Sequence, residues 1–182
     1  MKPILFNTEM VKAILDGRKT VTRRAVKPQP RAIYHDGTIY EDDGYYVIAE
    51  DQNGELEQIG LPYHPREILY VRETWQFIPC VECGAYLTNQ CNFQPVSYED
   101  KYSVSEGCFV YRADYPETER IIWRPSIHMP RETARLFLRV TDVRVERLQE
   151  ITGQGLIEEG VCTLNELCNG YVSRASEEKS YH

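Results

Sequence analysis

The sequence has no long apolar run. Its purely apolar stretches, such as residues 68–71 and 108–111, are only a few residues long, whereas a membrane-spanning helix needs about 18 or more. The first residues, Met-Lys-Pro-Ile-Leu-Phe-Asn, also lack the apolar centre and small-residue cleavage site of a signal peptide. We therefore expect a cytoplasmic protein with no membrane partner. In that compartment the six cysteines are expected to be reduced thiols or metal ligands rather than disulfides.

Positive charge is also in the minority. The chain has 21 basic and 28 acidic residues, and its net charge of −7 argues against a protein that coats a nucleic-acid backbone. The basic residues are nevertheless concentrated: residues 1–31 hold eight against two acids, and residues 120–147 hold seven against three. Two such segments favour either a shared site for an anion or nucleotide, or ordinary solvated strand faces.

Length and patterning predict one α+β domain over residues 1–182. Apolar alternation predicts short strands, the longest at 134–148 with a bulge near 141–142. Turn dipeptides such as Asn53-Gly54 predict a hairpin or small meander within 34–59. Capping residues predict helices at 8–16 and 152–158 and a third from Thr163. We expect a small mixed or antiparallel, partly open β-barrel with two or three short helices, interrupted by insertions at about 28–60 (hairpin) and 76–107 (Cys-containing loop). The other strands are predicted at 3–6, 20–24, 67–75, 107–112 and 120–123.

A short motif links the first predicted helix to the next strand, namely Gly17-Arg-Lys19-Thr-Val-Thr22-Arg-Arg24. It resembles the signature of the ASCH domain family, whose members have a PUA-like β-barrel. Three further stretches resemble the larger ASCH proteins of phages and prophages. They are residues 68–75, 123–130 and 137–159. The resemblance covers most of the predicted barrel and leaves out the two insertions.

The resemblance implies a function. PUA-like domains bind RNA or modified nucleosides, and one small bacterial ASCH protein is an amidohydrolase that removes the acetyl group from acetylcytidine. That enzyme uses a Lys, a Thr three residues later, and a Glu in the helix after the long strand. Matched motif by motif, these places fall on Lys19, Thr22 and Glu159. The reaction requires no cofactor.

The chemistry of these three residues leaves two mechanisms open. Thr22 is a poor nucleophile unless a base lies within hydrogen-bonding reach. Lys19 is such a base only if it loses its proton, which burial or a neighbouring cation such as Arg24 favours and an ion pair with Glu159 opposes. In the alternative, Glu159 activates a water molecule while Lys19 and Arg24 polarise the carbonyl group. A purely structural role for all three residues is a further interpretation.

Five more residues are candidates for substrate binding. In the strand at 67–75, Glu73 and Trp75 share a face with Leu69 and Val71. Trp75 is expected either to stack on a base or to lie in the core. Glu73 is expected either to accept a hydrogen bond from an exocyclic amine or to pair with Arg24 or Arg124. The remaining candidates are Arg72 and, in the proline-bounded loop at 124–130, Ser126 and His128; the alternative for that loop is a packed crossover with Met129 in the core.

Four cysteines fall in or beside the second insertion, at Cys80, Cys83, Cys91 and Cys108. A CxxC pair with two further thiols is able to form a tetrahedral zinc site, which would order a loop that lacks its own core. Structural zinc, unmodified thiols and a redox function are therefore the three interpretations.

Three functions follow from these observations. The first is hydrolysis of an acylated or modified cytidine, the second is non-catalytic binding of RNA or a nucleoside, and the third is a phage accessory or morphogenesis-associated role without chemistry.

Overall fold

The computed structural model describes residues 1–27, 29–33, 39–41, 44–83, 95–99, 104–115 and 121–161. The fold is α+β, with three small sheets, mostly antiparallel, and few helices. Within the described residues no sheet closes into a barrel. None of the described helices is long and apolar enough to cross a membrane.

Two compact units make up the chain. The first unit comprises Met1–Lys12 and Leu69–Leu138, and the second comprises Ala13–Ile68 and Arg139–His182. Because both units take residues from two separate parts of the chain, each depends on long-range contacts.

The first unit has two sheets. The chain begins with β1 (Lys2–Leu5), which pairs in parallel with β6 (Ile68–Arg72), and β6 in turn neighbours β10 (Phe137–Arg139). The second sheet has the order β7-β9-β8, from β7 (Trp75–Pro79), β8 (Val96–Glu99) and β9 (Val104–Tyr111). Its core contains Trp75, Phe77 and Met129.

The second unit contains a meander. β4 (Gly44–Glu50) lies at its centre and pairs antiparallel with β2 (Ala32–Ile33), β3 (Ile39–Glu41) and β5 (Leu56–Gly60). Val47, Ala49 and Ile59 form its buried core. The hairpin interpretation of this region is confirmed, because β4 pairs antiparallel with both β3 and β5, and Asn53-Gly54 lies in the connection between β4 and β5.

Two helices were predicted with nearly the observed bounds. α1 spans Thr8–Leu15, and Gly17 follows in the left-handed region at φ 71°. α2 spans Gly153–Glu158, with the Thr152 side chain accepting a hydrogen bond from the Gly155 N–H as N-cap. The third helix, predicted from Thr163, lies outside the described residues, as do Cys162 and Cys168.

The strand at 67–75 was predicted in one piece but is divided. It breaks at Glu73 and Thr74 into β6 and β7, yet its alternation continues across the break, with Leu69, Val71, Glu73 and Trp75 all buried. The second insertion is less irregular than expected. After a 3-10 turn at Cys80–Glu82, β8 and β9 pair within it.

Three predicted strands are wrong. Residues 20–24 form no strand, because the N–H groups of Thr20 and Val21 donate to the Glu158 carbonyl oxygen instead of to a ladder. Residues 121–123 form none either, and only Arg124 makes a bridge, to Trp75. Of the long strand at 134–148, only β10 is paired. Residues 141–147 have no ladder, so the predicted bulge is absent. Short 3-10 turns lie on either side of β10, at Arg131–Thr133 and Leu148–Glu150.

Candidate functional site

Lys19 is held at the end of α1 by a tight turn. The main-chain N–H groups of Arg18 and Lys19 both donate to the Ala13 carbonyl oxygen at 2.9 Å. This turn requires the positive φ of Gly17, which a residue with a Cβ rarely adopts. It directs Lys19 inward, so that its side chain is only 2% exposed.

The buried ammonium group of Lys19 is saturated with acceptors. Nζ donates to the carbonyl oxygens of Val21 and Glu159, both at 2.7 Å, and to Glu159 Oε1 at 2.8 Å. Three acceptors need three N–H donors, which only the protonated amine has. In this arrangement Lys19 is a hydrogen-bond donor to three acceptors.

The Glu159 carboxylate is shared between two basic side chains. Besides Lys19, its Oε1 accepts from the Arg23 main-chain N–H at 3.3 Å, and its Oε2 accepts from Arg23 Nη1 at 3.2 Å. A carboxylate oxygen accepts two hydrogen bonds comfortably. Within the described residues Oε1 has two donors and Oε2 has one. Oε2 is therefore the oxygen with acceptor capacity left for a ligand, a water molecule or a transferred proton.

Arg23 extends the cluster to a second carboxylate. Its Nε donates to Glu146 Oε1 at 2.7 Å, and its Nη1 also donates to the Gly155 carbonyl oxygen at 3.1 Å. The hydrogen bond with Glu146 raises the pKa of Arg23 above its ordinary value, against the opposite effect of burial, and Glu159 adds to the rise. Arg23 is thus a permanent cation that fixes the orientation of Glu159.

Glycines in and after α2 allow this close approach. A Cβ on Gly155 would lie 3.0 Å from Arg23 Nη2, and a Cβ on Gly160 would lie 2.9 Å from Ala13 Cβ and 3.1 Å from Lys19 Cβ. Gly160 also has φ 76°. Any other residue at Gly160 would push α2 away from the Lys19 turn.

Thr22 lies in the segment that wraps around this ion pair, between Val21, whose carbonyl binds Lys19, and Arg23, whose N–H binds Glu159. Its Oγ1 is buried and has no hydrogen-bond partner within the described residues. Leaving a buried hydroxyl unpaired costs about 1–3 kcal/mol. Arg24, the next candidate, is exposed.

The other sequence-predicted binding residues lie in the first unit, where Glu73 pairs with a residue that was not foreseen. Its carboxylate, 1% exposed, accepts two hydrogen bonds from Arg135, at 2.9 Å and 3.0 Å. The expected partners, Arg24 and Arg124, were therefore wrong. Arg135 also donates to Asp114 at 2.6 Å and stacks over the Tyr111 ring at 4.1 Å.

Burial dominates the electrostatics of this cluster. It raises the pKa of the Glu73 carboxyl above its usual range, although Arg135 opposes the rise. It also raises the pKa of Tyr111 to about 12. For Arg135, burial lowers the pKa, but hydrogen bonds to Glu73 and Asp114 outweigh it and the net pKa is raised. The Glu73–Arg135 pair is a structural element of the interior.

Trp75 belongs to the core and is 1% exposed. It packs edge-on against Tyr98 and tilted against Phe109, and Arg124 lies 5.3 Å from its ring centre. The core interpretation is thus what the structure shows, and base stacking would require this packing to open.

Arg72 and the proline-bounded loop do come together. Arg72 Nη2 donates to the Ile127 carbonyl oxygen, at the centre of the 3-10 turn Ser126–His128. Ser126 is half-buried, His128 is exposed, and Met129 is buried in the core. The loop was alternatively interpreted as a packed crossover with Met129 in the core, and this is confirmed for Met129.

The described residues include three of the four cysteines of the predicted zinc site. Cys80, Cys83 and Cys108 are thiols, and Cys91 lies outside the described residues. Across the described ranges, no three His, Cys, Asp or Glu side chains are placed to hold a metal ion. Structural zinc stays a prediction.

Sequence reasoning missed Arg23, Glu146 and Arg135. Arg23 stands inside the motif itself, and its place beside Thr22 was the available signal. No comparable sequence signal marks Glu146 or Arg135, since each is one charge among many in residues 120–147.

A shallow, open groove of about 320 Å³ was also not predicted, and it involves none of the predicted site residues. It is lined by Asn7, Thr8, Glu9, Lys12 and Arg112.

Comparison of the chain with protein-family models, curated proteins and solved structures found no match.

Proposed function

We propose that the chain is an ASCH-type protein with a PUA-like barrel, that it binds a nucleobase or nucleoside at Lys19, Thr22, Arg24 and Glu159, and that it hydrolyses the acyl amide of an acetylated cytidine. The observation that supports this proposal is the buried Lys19–Glu159 ion pair. It joins the two ends of the motif match across 140 positions of sequence. A buried hydroxyl without a partner, on Thr22, lies in the same segment.

In this proposal Lys19 is not the base. Its ammonium group keeps its three protons on three acceptors. Together with Arg23 it fixes the Glu159 carboxylate and supplies positive charge near a developing oxyanion. Arg24, which is exposed in the same segment, would contact the ligand from outside.

Glu159 Oε2 is the proton acceptor, because it has the unused acceptor position. A water molecule forms the new bond to the acyl carbon while its proton passes to Oε2, or the Thr22 hydroxyl forms it and passes its proton to Oε2 through a bridging water, since Oγ1 has no hydrogen-bond partner within the described residues. The C–N bond then breaks, and the leaving nitrogen takes that proton. Attack by Thr22 would form an acyl ester that a water molecule hydrolyses to acetate; direct attack by water gives acetate in one step.

The test is incubation of the full chain with acetylcytidine and chromatographic measurement of cytidine. We expect turnover that Glu159→Gln abolishes, and that Thr22→Val abolishes only if the hydroxyl and not a water molecule is the nucleophile. Two matched changes at exposed residues, Thr20→Val and Glu150→Gln, should leave it intact. Thr22→Ser restores turnover if the hydroxyl is the nucleophile. Absence of turnover in the wild-type chain, or full turnover in Glu159→Gln, would refute the hydrolase.

The saturation of Lys19 favours a second function, non-catalytic binding. A fully paired ammonium fits a scaffold that presents Glu159 and Arg24 to a nucleoside or an RNA element without reacting. In that case acetylcytidine or RNA binds without turnover. RNA binding would weaken steeply with added salt, since basic contacts to phosphates release counterions.

A further inference from the structure

The turn that follows β7 brings two cysteines together. Within the segment Pro79-Cys80-Val81-Glu82-Cys83, the Cys83 N–H donates to the Pro79 carbonyl oxygen at 3.1 Å and to the Cys80 carbonyl oxygen at 3.2 Å. The turn is a single winding of 3-10 helix. Its geometry is stabilised by these two backbone hydrogen bonds.

This turn places the two cysteines within reach of a disulfide. A hydrogen bond from residue i+3 back to residue i marks a turn whose Cα atoms are less than about 7 Å apart. A disulfide requires a Cα separation of roughly 4.4–6.8 Å. Cys80 and Cys83 therefore need little backbone movement to join.

Cys108 is a less suitable partner for Cys80. Ile78 lies opposite Cys108 and Pro79 opposite Gly107 in the antiparallel register of β7 and β9. The ladder ends at this last pair and Cys80 begins the 3-10 turn beyond it, so no position of the ladder sets Cys108 opposite Cys80.

The turn is also open to a reagent. Val81 is 76% exposed, Glu82 is exposed and Cys83 is half-buried, whereas Cys80 is 9% exposed. A small disulfide therefore reaches Cys83 first, and Cys80 lies behind it as the resolving thiol.

We propose that Cys80 and Cys83 form a reversible dithiol–disulfide pair that exchanges electrons with a low-molecular-weight disulfide. The Cys83 thiolate attacks one sulfur of that disulfide, forming a mixed disulfide and releasing one small thiol. The Cys80 thiolate then attacks the Cys83 sulfur and releases the second small thiol. The two protons of the cysteines go to the two released thiols, the protein loses two electrons, and the small disulfide gains them. This pair is independent of the Lys19 site.

The experiment uses oxidised and reduced glutathione as the probe. The full-length protein is equilibrated at several ratios of the two forms, its remaining thiols are blocked with N-ethylmaleimide, and it is digested with trypsin. Cleavage after Arg72, Lys101 and Arg112 gives a peptide of residues 73–101, with Cys80, Cys83 and Cys91, and a peptide of residues 102–112, with Cys108. Mass spectrometry then shows which thiols have been oxidised.

Under oxidising ratios we expect the first peptide to lose two hydrogen atoms and to carry one maleimide, while the second carries one maleimide. Excess reduced glutathione should reverse the change. Cys83→Ser should abolish the internal disulfide, and Cys91→Ser and Cys108→Ser should leave it intact. A disulfide that persists in Cys83→Ser, a crosslink between the two peptides, or thiols that resist oxidation because the protein is purified with bound zinc would each overturn the proposal.

Discussion

Replacing Arg135 by methionine would leave the buried Glu73 carboxylate without its positively charged partner. Both carboxylate oxygens of Glu73 are bonded to Arg135, and the side chain is 1% exposed. Methionine keeps the unbranched stem of arginine and removes only the guanidinium. The variant therefore measures how much the free energy of unfolding falls when a buried carboxylate loses its counter-charge.

The size of the expected loss of stability follows from the burial of Glu73 and Arg135. Removing one member of a buried ion pair costs about 3–5 kcal/mol, because the other charge stays buried without compensation. Arg135 is itself 26% exposed, so water enters part of the space it leaves. We therefore expect a loss of about 3 kcal/mol at pH 7, or roughly 6–12 °C in Tm for a chain of this length.

The stability deficit of the variant should also change with pH, in a direction that the pKa of Glu73 determines. Burial already raises the folded-state pKa of Glu73 above its unfolded value, and Arg135 is the group that opposes the rise. Without Arg135 the folded-state pKa rises further, and the folded state retains a proton that the unfolded state releases. The variant's deficit is then smallest below the unfolded pKa, about 4.3, and grows as the pH increases through the folded pKa.

Urea unfolding at pH 5 and pH 8, followed by tryptophan fluorescence, measures this deficit. Both tryptophans, Trp75 and Trp123, belong to the first unit, so the signal reports on the unit that contains the pair. Arg131→Met, at an exposed position in the same unit, is the matched control and should be near neutral. A deficit below about 1 kcal/mol, or an equal deficit at both pH values, would contradict the argument.

Three further predictions concern the second unit and are read from thermal unfolding by circular dichroism. Thr22→Val should raise stability by up to about 1–3 kcal/mol, because it removes an unpaired buried hydroxyl, while the exposed Thr20→Val should change it little; a marked loss would show that the hydroxyl has a partner. Gly160→Ala should cost more than Gly54→Ala, since both have positive φ but a Cβ on Gly160 would lie only 2.9 Å from Ala13 Cβ, whereas one on Gly54 would lie 3.8 Å from Glu50 Oε1; equal losses would remove the role assigned to close packing. Thr152→Ala should cost about 1 kcal/mol through loss of the cap on Gly155, and no change would mean that the cap is dispensable.

The sequence carried enough information for the local elements. α1 and α2 were predictable because Thr8, Gly17, Thr152 and Gly160 lie at the ends of apolar periodic segments, where caps and left-handed residues belong. The meander was predictable for a similar reason, since its turn dipeptides separate β-branched and aromatic residues. These signals act over a few residues, so no tertiary contact is needed to interpret them.

Elements that depend on distant contacts were harder to predict. Thr20 and Val21 alternate with their neighbours like strand residues, yet their N–H groups bind the end of α2. In the same way, alternation in residues 134–148 gave no sign that only Phe137–Arg139 pairs with a neighbouring strand. Pairing partners are a property of the assembled fold and not of the segment.

The candidate site residues divide in the same way, into those that the sequence indicated and those that only the fold selects. The resemblance named Lys19 and Glu159, and the structure brings them to 2.8 Å of each other. Alternation put Glu73 and Trp75 on one face with Leu69 and Val71 but left ligand contact and core burial open, and the structure buries all four. The arginine that neutralises Glu73 did not, because seven arginines in residues 120–147 are equivalent in sequence and only the fold selects Arg135.

The separation of Lys19 and Glu159 along the chain has a consequence for biosynthesis. A ribosome releases the first of these residues long before it has made the second, 140 positions later. Until then the ammonium group has no carboxylate to receive it, and burying it alone would cost several kcal/mol. Translation order thus delays this ion pair until the segment that contains α2 has been synthesised.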